Sequence, residues 1–454
     1  MTQPPLTVEE LRLAVDAGEI DTVVLALVDM QGRLQGKRFH ARFFLDEVVA
    51  HGSEGCTYLL AVDVDMNTVD GYAMSGWSRG YGDFAMRPDL TTLRRVPWQP
   101  GTAMVLADLA WPDGSGEVVA SPRQILRRQV ARLAEHGFTA YAGTELEFIV
   151  YRDSYERAWQ RGYRELTPAN LYNVDYSLLG TARVEPLLRR IRNDMAGAGL
   201  VPENAKGECN LGQHEITFRY DEALRCADHH AVYKNGAKEI AAQEGMALTF
   251  MAKPNAREGN SCHIHFSLRS ADGRPAMHGD GPGHLSPTGQ RVVAGLLATL
   301  RDFSVLYAPN INSYKRYQPG SFAPTALRWG GDNRTCALRL AGHGAGLRVE
   351  NRMPGGDVNP HLAIAALIAG AVHGLANDLP LEPEYRGNAY EDAEAPRVPA
   401  TLRDALARWE SSDLARAAFG PEVVEHYANN ARVEVAAFDA AVTDWELARG
   451  FERL

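Results

Sequence analysis

The chain has 454 residues, 45% hydrophobic and 23% charged, an ordinary composition for a soluble globular protein of two or three domains, which argues against disordered or fibrous classes. Forty-seven Lys+Arg against 57 Asp+Glu leave a net charge of -10, opposite to the basic footprint of a nucleic-acid binder. Cys56, Cys209, Cys226, Cys262 and Cys336 form no Cys-x-x-Cys pair, so neither a disulfide framework nor a zinc knot is expected.

The opening Met-Thr-Gln-Pro-Pro has no basic region followed by an apolar stretch, so a secretory leader is not expected and the compartment reads as cytoplasmic. Asp21–Val28 is strand-like, Met30–Gly32 is a turn, and Arg33–Phe39 can return as a second strand. Residues 70–88, rich in Gly and aromatics, read as a long functional loop. A domain boundary is expected near 110–120. Arg123–His136 has helical periodicity, with Gly137 placed to end the helix.

Beyond it, Pro186–Ala198, Asp228–Glu244, Ser286–Leu306 and Leu362–Leu375 read as helices, and Thr401–Arg449 as a largely helical tail. The apolar run Leu362–Val372 is far short of the ~20 residues of a membrane span, and so reads as a core helix. Strands are expected at Tyr141–Tyr151, Gln213–Tyr220, Leu248–Met251, Ser261–Leu268, Cys336–Leu340 and Leu347–Arg352. Irregular mixing of strands and helices predicts an α+β fold with an antiparallel sheet.

Several familiar motifs fail on context. Gly76-Trp-Ser-Arg-Gly80 has the spacing of a nucleophile elbow but lies inside the aromatic loop rather than between a strand and a helix. Gly36-Lys37 is followed by Arg38, so no phosphate-binding P-loop exists. Gly342–Gly346 sits between two strand candidates and reads as a hairpin turn.

The informative pattern is charge at i and i+2 along strands, where side chains share a face. Glu145 and Glu147 have it, as do His263 and His265, and so do Arg348, Glu350 and Arg352. Glu208 and Glu215 flank a predicted tight turn. One such pair alone is ordinary on a wet sheet face. Five carboxylates on one face are not, because like charges at ~4 Å cost of order 1–4 kcal/mol per pair unless cations neutralise them. Oxygen ligands with an occasional imidazole select Mg²⁺ or Mn²⁺. Arg316, Arg334 and Arg339 add capacity for an anion such as phosphate. The residues together predict a multi-metal phosphoryl-transfer site.

At these residues the sequence resembles the glutamine synthetase family over nearly its whole length. The agreement runs in order through Glu145-x-Glu147, Gly212-Gln-His-Glu215, Lys253-Pro254, Gly259-Asn-Ser-Cys-His-Ile-His265, Asn312-Ser-Tyr-Lys-Arg316, Pro319-Gly320, Asn333-Arg334, Arg339, Arg348-x-Glu350-x-Arg352 and Asn359-Pro360. The resemblance implies a small β-grasp-like N-terminal domain (residues 1–115) and a catalytic half-barrel of antiparallel strands with flanking helices (residues 116–454). It further implies two stacked hexameric rings, with each active site closed by a neighbour's N-terminal domain carrying Asp63 and Asp65.

By the same carry-over, Glu147, Glu208 and Glu215 ligate one metal and Glu145, His263 and Glu350 another, with two or three ions per site. Arg316, Arg334, Arg352 and the backbone at Gly259 hold glutamate or the phosphoryl group. His265, Arg339 and Arg348 lie near ATP. The implied reaction activates the glutamate γ-carboxylate as γ-glutamyl phosphate, which an amine then attacks.

Where ammonia-using members read Tyr-Glu-Ala-Pro, this chain reads Ser321-Phe322-Ala323-Pro324. A phenyl ring in place of the ammonium-attracting carboxylate favours an alkyl or hydroxyalkyl amine, since one or two packed methylenes contribute ~1–3 kcal/mol of discrimination. The resemblance is therefore to the γ-glutamylamide ligase branch, that of γ-glutamylethanolamide and γ-glutamylpolyamine synthetases, with ethanolamine expected first. The amine's proton could go to Glu208 or to Asp63/Asp65. Ammonia-dependent glutamine synthesis and an inactive structural relative are the competing expectations, and the complete ligand set weighs against the second. Tyr390, near the adenylylated tyrosine of some relatives, reads as a surface residue.

Overall fold

The computed structural model describes residues 6–454; the first five, on which the absence of a leader was read, lie outside them. An N-terminal sheet is built from β1 (Thr22–Val28), β2 (Leu34–His40), β3 (Ser53–Cys56), β4 (Asp83–Arg95) and β5 (Thr102–Ala110) in the order β2-β1-β5-β4-β3. The β1–β5 pair is parallel, the rest antiparallel.

The second sheet takes β6 (Phe138–Tyr151), β7 (Pro202–Gly207), β8 (Gln213–Phe218), β9 (Asp221–Glu222), β10 (Ala247–Thr249), β11 (Cys262–Ser270), β12 (Trp329–Gly331), β13 (Leu338–Ala341) and β14 (Arg348–Asn351). Its main path runs β12-β13-β14-β11-β6-β8-β7, with β9 and β10 also on β6. It is antiparallel except for β12–β13, in keeping with the expected half-barrel of antiparallel strands. The α+β reading is borne out.

Helices cover the sheets. Pro122–Glu135 begins with Pro at its first position, and Gly137, at φ +81°, ends it in the left-handed conformation that favours glycine. Pro360–Ala376, started by the Asn359 side chain accepting from His361 and Leu362, is buried along nearly all its length because it is apolar all round. No helix of the described residues is long and apolar enough to cross a membrane. The predicted helix Ser286–Leu306 is broken after Leu300, and the tail divides into four helices.

The segment 70–88 is loop only to Gly82; Asp83 begins β4, where Phe84 and Met86 alternate into the core. Trp77–Arg79 is a single exposed 3₁₀ turn, which rules out a strand-to-helix elbow at Ser78. Gly342–Gly346 does turn between antiparallel β13 and β14.

One hydrophobic cluster runs through both sheets. A buried polar bolt reinforces it. Arg123 reaches Asp89 of β4 (2.7 Å), Asp108 of β5 and, bidentately, Asp228 on helix Ala223–Gln243 (2.9 and 3.0 Å), whose Oδ1 also meets His361 Nε2 at 2.9 Å. Despite its burial, Asp228 stays well below the usual carboxylate range because Arg123 and His361 pair with it.

Candidate active site

Strand register explains how distant motifs meet. Arg339 of β13, Glu350 of β14, His265 of β11 and Gly143 of β6 are opposed across four strands. One row along, His263, Glu145 and Thr217 are opposed; in the next, Glu147, Glu215 and Lys206. Rows two residues apart share a face. This face floors a cleft of about 640 Å³ whose walls include Glu208, Gly259, Phe322, Arg334 and Arg352.

Among the described residues three groups have the geometry of cation sites; one, Asp175 with Glu208 and Cys209, lies at the more exposed edge of the cleft, and the other two are deeper. Ligand oxygens of Glu147, Glu208 and Glu215 lie within 4.8 Å of one another, as do donor atoms of Glu145, His265 and Glu350. Burial, then repulsion from Glu208, raises Glu147 to about 8. Glu215 is pushed well above its usual value by burial and by Glu145, Glu147 and Glu208. Burial also raises Glu208, against the pull of Lys206, which is hydrogen-bonded to it.

The other cluster has the opposite bias. Against burial, the imidazoles of His263 and His265 hold Glu145 low. Glu350 is held at about 2, despite burial, by His263 and Arg352. His263 is lowered to about 4 by burial and Arg352, so it is neutral near pH 7, and its Nε2 has no hydrogen-bond partner among the described residues. That buried free nitrogen and the three mutually repelling carboxylates fit a divalent cation with mainly oxygen ligands.

A stability consequence has a definite sign. Glu147 titrates near 4.5 when unfolded and about 8 when folded, so its protonated form is preferred by the fold. Its contribution is complete below about pH 4.5 and is lost as pH rises through about 8. The Tm of metal-free protein should fall from about pH 5 to about pH 8, while the gain in Tm on adding Mn²⁺ grows over that window. A metal-induced gain independent of pH contradicts this assignment; differential scanning calorimetry measures both.

The expected residues are not all placed alike. His265, expected at the nucleotide, donates from Nε2 to Glu145 at 2.8 Å and accepts from Arg348 Nε on Nδ1 at 3.0 Å. It thus stands in the carboxylate cluster as well as lining, with Arg348, a side cavity of about 150 Å³ next to Tyr141 and Tyr220. Arg339 is in the main cleft, bonded to Glu350 at 2.7 Å and to Asp332 at 2.9 Å. Arg352 is buried, hydrogen-bonded to Glu350, and donates to the Phe322 carbonyl at 3.2 Å. Arg334 lines the cleft half exposed.

Arg316 requires a correction. It is 2% exposed, does not line the cleft, and donates to the carbonyls of Met353 (2.9 Å) and Arg352 (3.0 Å). Gly259 lies over it: a Cβ there would come within 2.6 Å of Arg316 Cγ and 2.3 Å of the Ala252 carbonyl. Arg316 therefore positions the Arg352–Met353 backbone in this structure rather than offering its guanidinium to a substrate.

Asp63 and Asp65 do not line this chain's cleft either; Asp63 instead caps a turn through Asn67, at 2.8 and 3.0 Å. Tyr390 is half-buried, with its hydroxyl on the Ala323 carbonyl at 3.1 Å, not a free surface residue.

Sequence reasoning missed Lys206, Gln213 and Asp175. Lys206 is two residues before Glu208 at the end of β7, so the same-face rule could have found it. Gln213 Nε2 and the Ser261 amide both donate to Glu147 Oε2, at 3.0 and 2.7 Å, leaving the other oxygen for the cleft. Nothing in the pattern pointed to Asp175.

A sequence model of the glutamine synthetase catalytic domain matches residues 119–450. The chain belongs to the glutamine synthetase family. The chain is 70% identical over 451 residues to gamma-glutamylethanolamide synthetase GlnA4 of Streptomyces coelicolor, covering 99% of this chain and 97% of that one. It is 39% identical to the glutamate–isopropylamine ligase of a Pseudomonas species, with 97% of each chain covered. Among solved structures it resembles a GmaS/ADP complex, with TM-score 0.85 and 26% identity over 100% of both chains. The ligase is thus a carbon–nitrogen bond-forming enzyme of a family that depends on ATP and divalent metal.

Proposed function

We propose that the ligase joins the γ-carboxylate of glutamate to a primary amine, ethanolamine first, through γ-glutamyl phosphate, with release of ADP and phosphate. The observation that carries the choice of amine is Phe322. It lines the cleft 59% exposed, at φ +60°, where ammonia-using relatives have a carboxylate. The 70% identity to a γ-glutamylethanolamide synthetase and the 39% identity to an isopropylamine ligase support an alkylamine.

Glu147, Glu208 and Glu215 would hold one Mg²⁺ or Mn²⁺; Glu145, His263 and Glu350, with His265 beside them, a second. Bound there, these ions supply charge neutralisation for the transferring phosphoryl group. The protein's own groups do the rest. Arg334, Arg339 and Arg352 surround the cleft with guanidinium donors for the γ-carboxylate and the phosphoryl oxygens. Arg348 and His265 stand at the side cavity, suited to ATP. Arg316 and Gly259 shape the floor.

An amine attacks only as its neutral form. Of the groups weighed for the amine's proton, Glu208 lines this chain's cleft whereas Asp63 and Asp65 do not, so Glu208 is the base in this reading. Asp63 and Asp65 could reach a cleft only from another chain, which agrees with a homo-oligomer, proposed as a dodecamer of two hexameric rings in the cytoplasm. The division at about residue 115 between N-terminal and catalytic parts belongs to the same reading.

Phosphate release with glutamate and ATP should rise most with ethanolamine in a panel that includes isopropylamine, putrescine and ammonium. Ammonium as the best acceptor would make the enzyme a glutamine synthetase instead.

A further inference from the structure

A second cavity, of about 210 Å³, lies apart from the catalytic cleft, between the β1–β2 turn and helix Ala223–Gln243. Arg33 and Val64 are on its lining, as are Lys234, Lys238, Phe250 and Asp357. Lys234 and Lys238 are one helical turn apart, and both ammonium groups stand over the same Phe250 ring, at 5.7 and 5.8 Å from its centroid. Among the described residues neither lysine has a salt-bridge partner. Lys234 donates only to the carbonyls of Gly356 (2.8 Å) and Val358 (3.4 Å), and Lys238 makes no hydrogen bond.

Of the nearby carboxylates Asp29 is engaged, while Asp357 keeps its Oδ1 without a hydrogen-bond partner among the described residues. Asp29 binds Arg33 Nε at 2.7 Å, and Asp357 Oδ2 accepts from Asn310 (2.8 Å) and Ser313 (2.6 Å). With Arg33 paired to Asp29, the two lysines face the cavity against the one carboxylate of Asp357, which leaves its lining net positive. Two like charges at i and i+4 destabilise a helix when unscreened, and in a partly desolvated concavity the repulsion grows. Burial, then the neighbouring Lys238, lowers Lys234 to about 8. Lys234 is half-buried and Lys238 exposed, so the cavity opens to solvent at the Lys238 end while both ammonium groups stay over one ring.

We propose that this cavity is a binding site for a small oxyanion, a carboxylate or a phosphate, with Lys238 and Lys234 as its cationic partners. The apolar Val64 and Phe250 leave room for a short alkyl or ester portion. The site shares a wall with the metal cleft. Gly356 receives Lys234 on its carbonyl, while its amide donates to Asn260 at 3.0 Å, next to the Ser261 that binds Glu147. An occupant that draws Lys234 from Gly356 would therefore be felt in the affinity for glutamate.

The test uses the full-length enzyme and does not depend on turnover. Inorganic phosphate and butyrate are titrated by calorimetry at constant ionic strength, and crystals are soaked in selenate to locate the anion by its anomalous signal. Selenate is expected between Lys234 and Lys238. Lys238→Met should weaken the tighter-bound anion about tenfold, the loss of one charge-assisted hydrogen bond, and Lys238→Arg should largely restore it. Which of the two anions binds more tightly distinguishes a phosphate from a carboxylate ligand. Selenate found only in the catalytic cleft, or equal affinities for wild type and Lys238→Met, would overturn the proposal. Either result would leave the ligase reading untouched.

Discussion

Replacing Glu147 with glutamine should lower kcat on the order of 10²–10³-fold while making the metal-free protein more stable near pH 8. The two effects have one cause. Glu147 Oε2 is fixed by the Ser261 amide and the Gln213 side chain, so a glutamine would keep its carbonyl there and turn its NH₂ into the cleft. That places a donor where a cation's ligand is required, and the transferring phosphoryl group loses its counter-charge. In the absence of metal, however, the substitution removes one of three carboxylates that burial and mutual repulsion have raised. Steady-state kinetics and calorimetry on one variant measure both; loss of activity together with loss of metal-free stability would contradict the assignment.

Phe322→Glu should lower kcat/KM for ethanolamine about tenfold to hundredfold and raise the use of ammonium. The ring contributes the apolar surface on which one or two methylenes rest, worth ~1–3 kcal/mol. A carboxylate at the same point would attract NH₄⁺ and accept its proton. The Phe322 carbonyl accepts from Arg352, a backbone contact that glutamate can keep, so the change isolates the side chain. Phe322→Leu, which retains an apolar wall, should keep ethanolamine preferred. Unchanged amine selectivity in Phe322→Glu would remove Phe322 from the acceptor site.

The catalytic face was legible in the sequence because strand geometry is periodic. Glu145 and Glu147, His263 and His265, and Glu350 and Arg352 each announced a shared face, and register then did what spacing promised. Strand β4 was hidden because its start lies within a glycine- and aromatic-rich stretch whose alternation of Phe84 and Met86 is brief. The parallel β1–β5 and β12–β13 pairs depend on contacts between distant segments, which local pattern does not record.

Arg316 illustrates a different limit. Its motif agrees with the family, yet whether a guanidinium faces a cleft or the carbonyls beneath it depends on Gly259 and on the path of residues 352–353. The same applies to His265, which the resemblance sent to the nucleotide and packing placed against Glu145. Lys234 and Lys238 gave no signal, since two lysines on a helix ordinarily face water; only the hollow around Phe250 makes them notable.

Activation of the glutamate γ-carboxylate by phosphoryl transfer is tested most directly by isotope. Glutamate labelled with oxygen-18 in its γ-carboxylate, supplied with ATP, Mg²⁺ and ethanolamine, should give phosphate that carries one labelled oxygen per turnover. The attacking carboxylate oxygen leaves with phosphorus when the amine displaces it. Unlabelled phosphate, formed alongside γ-glutamyl amide, would contradict γ-glutamyl phosphate as the intermediate.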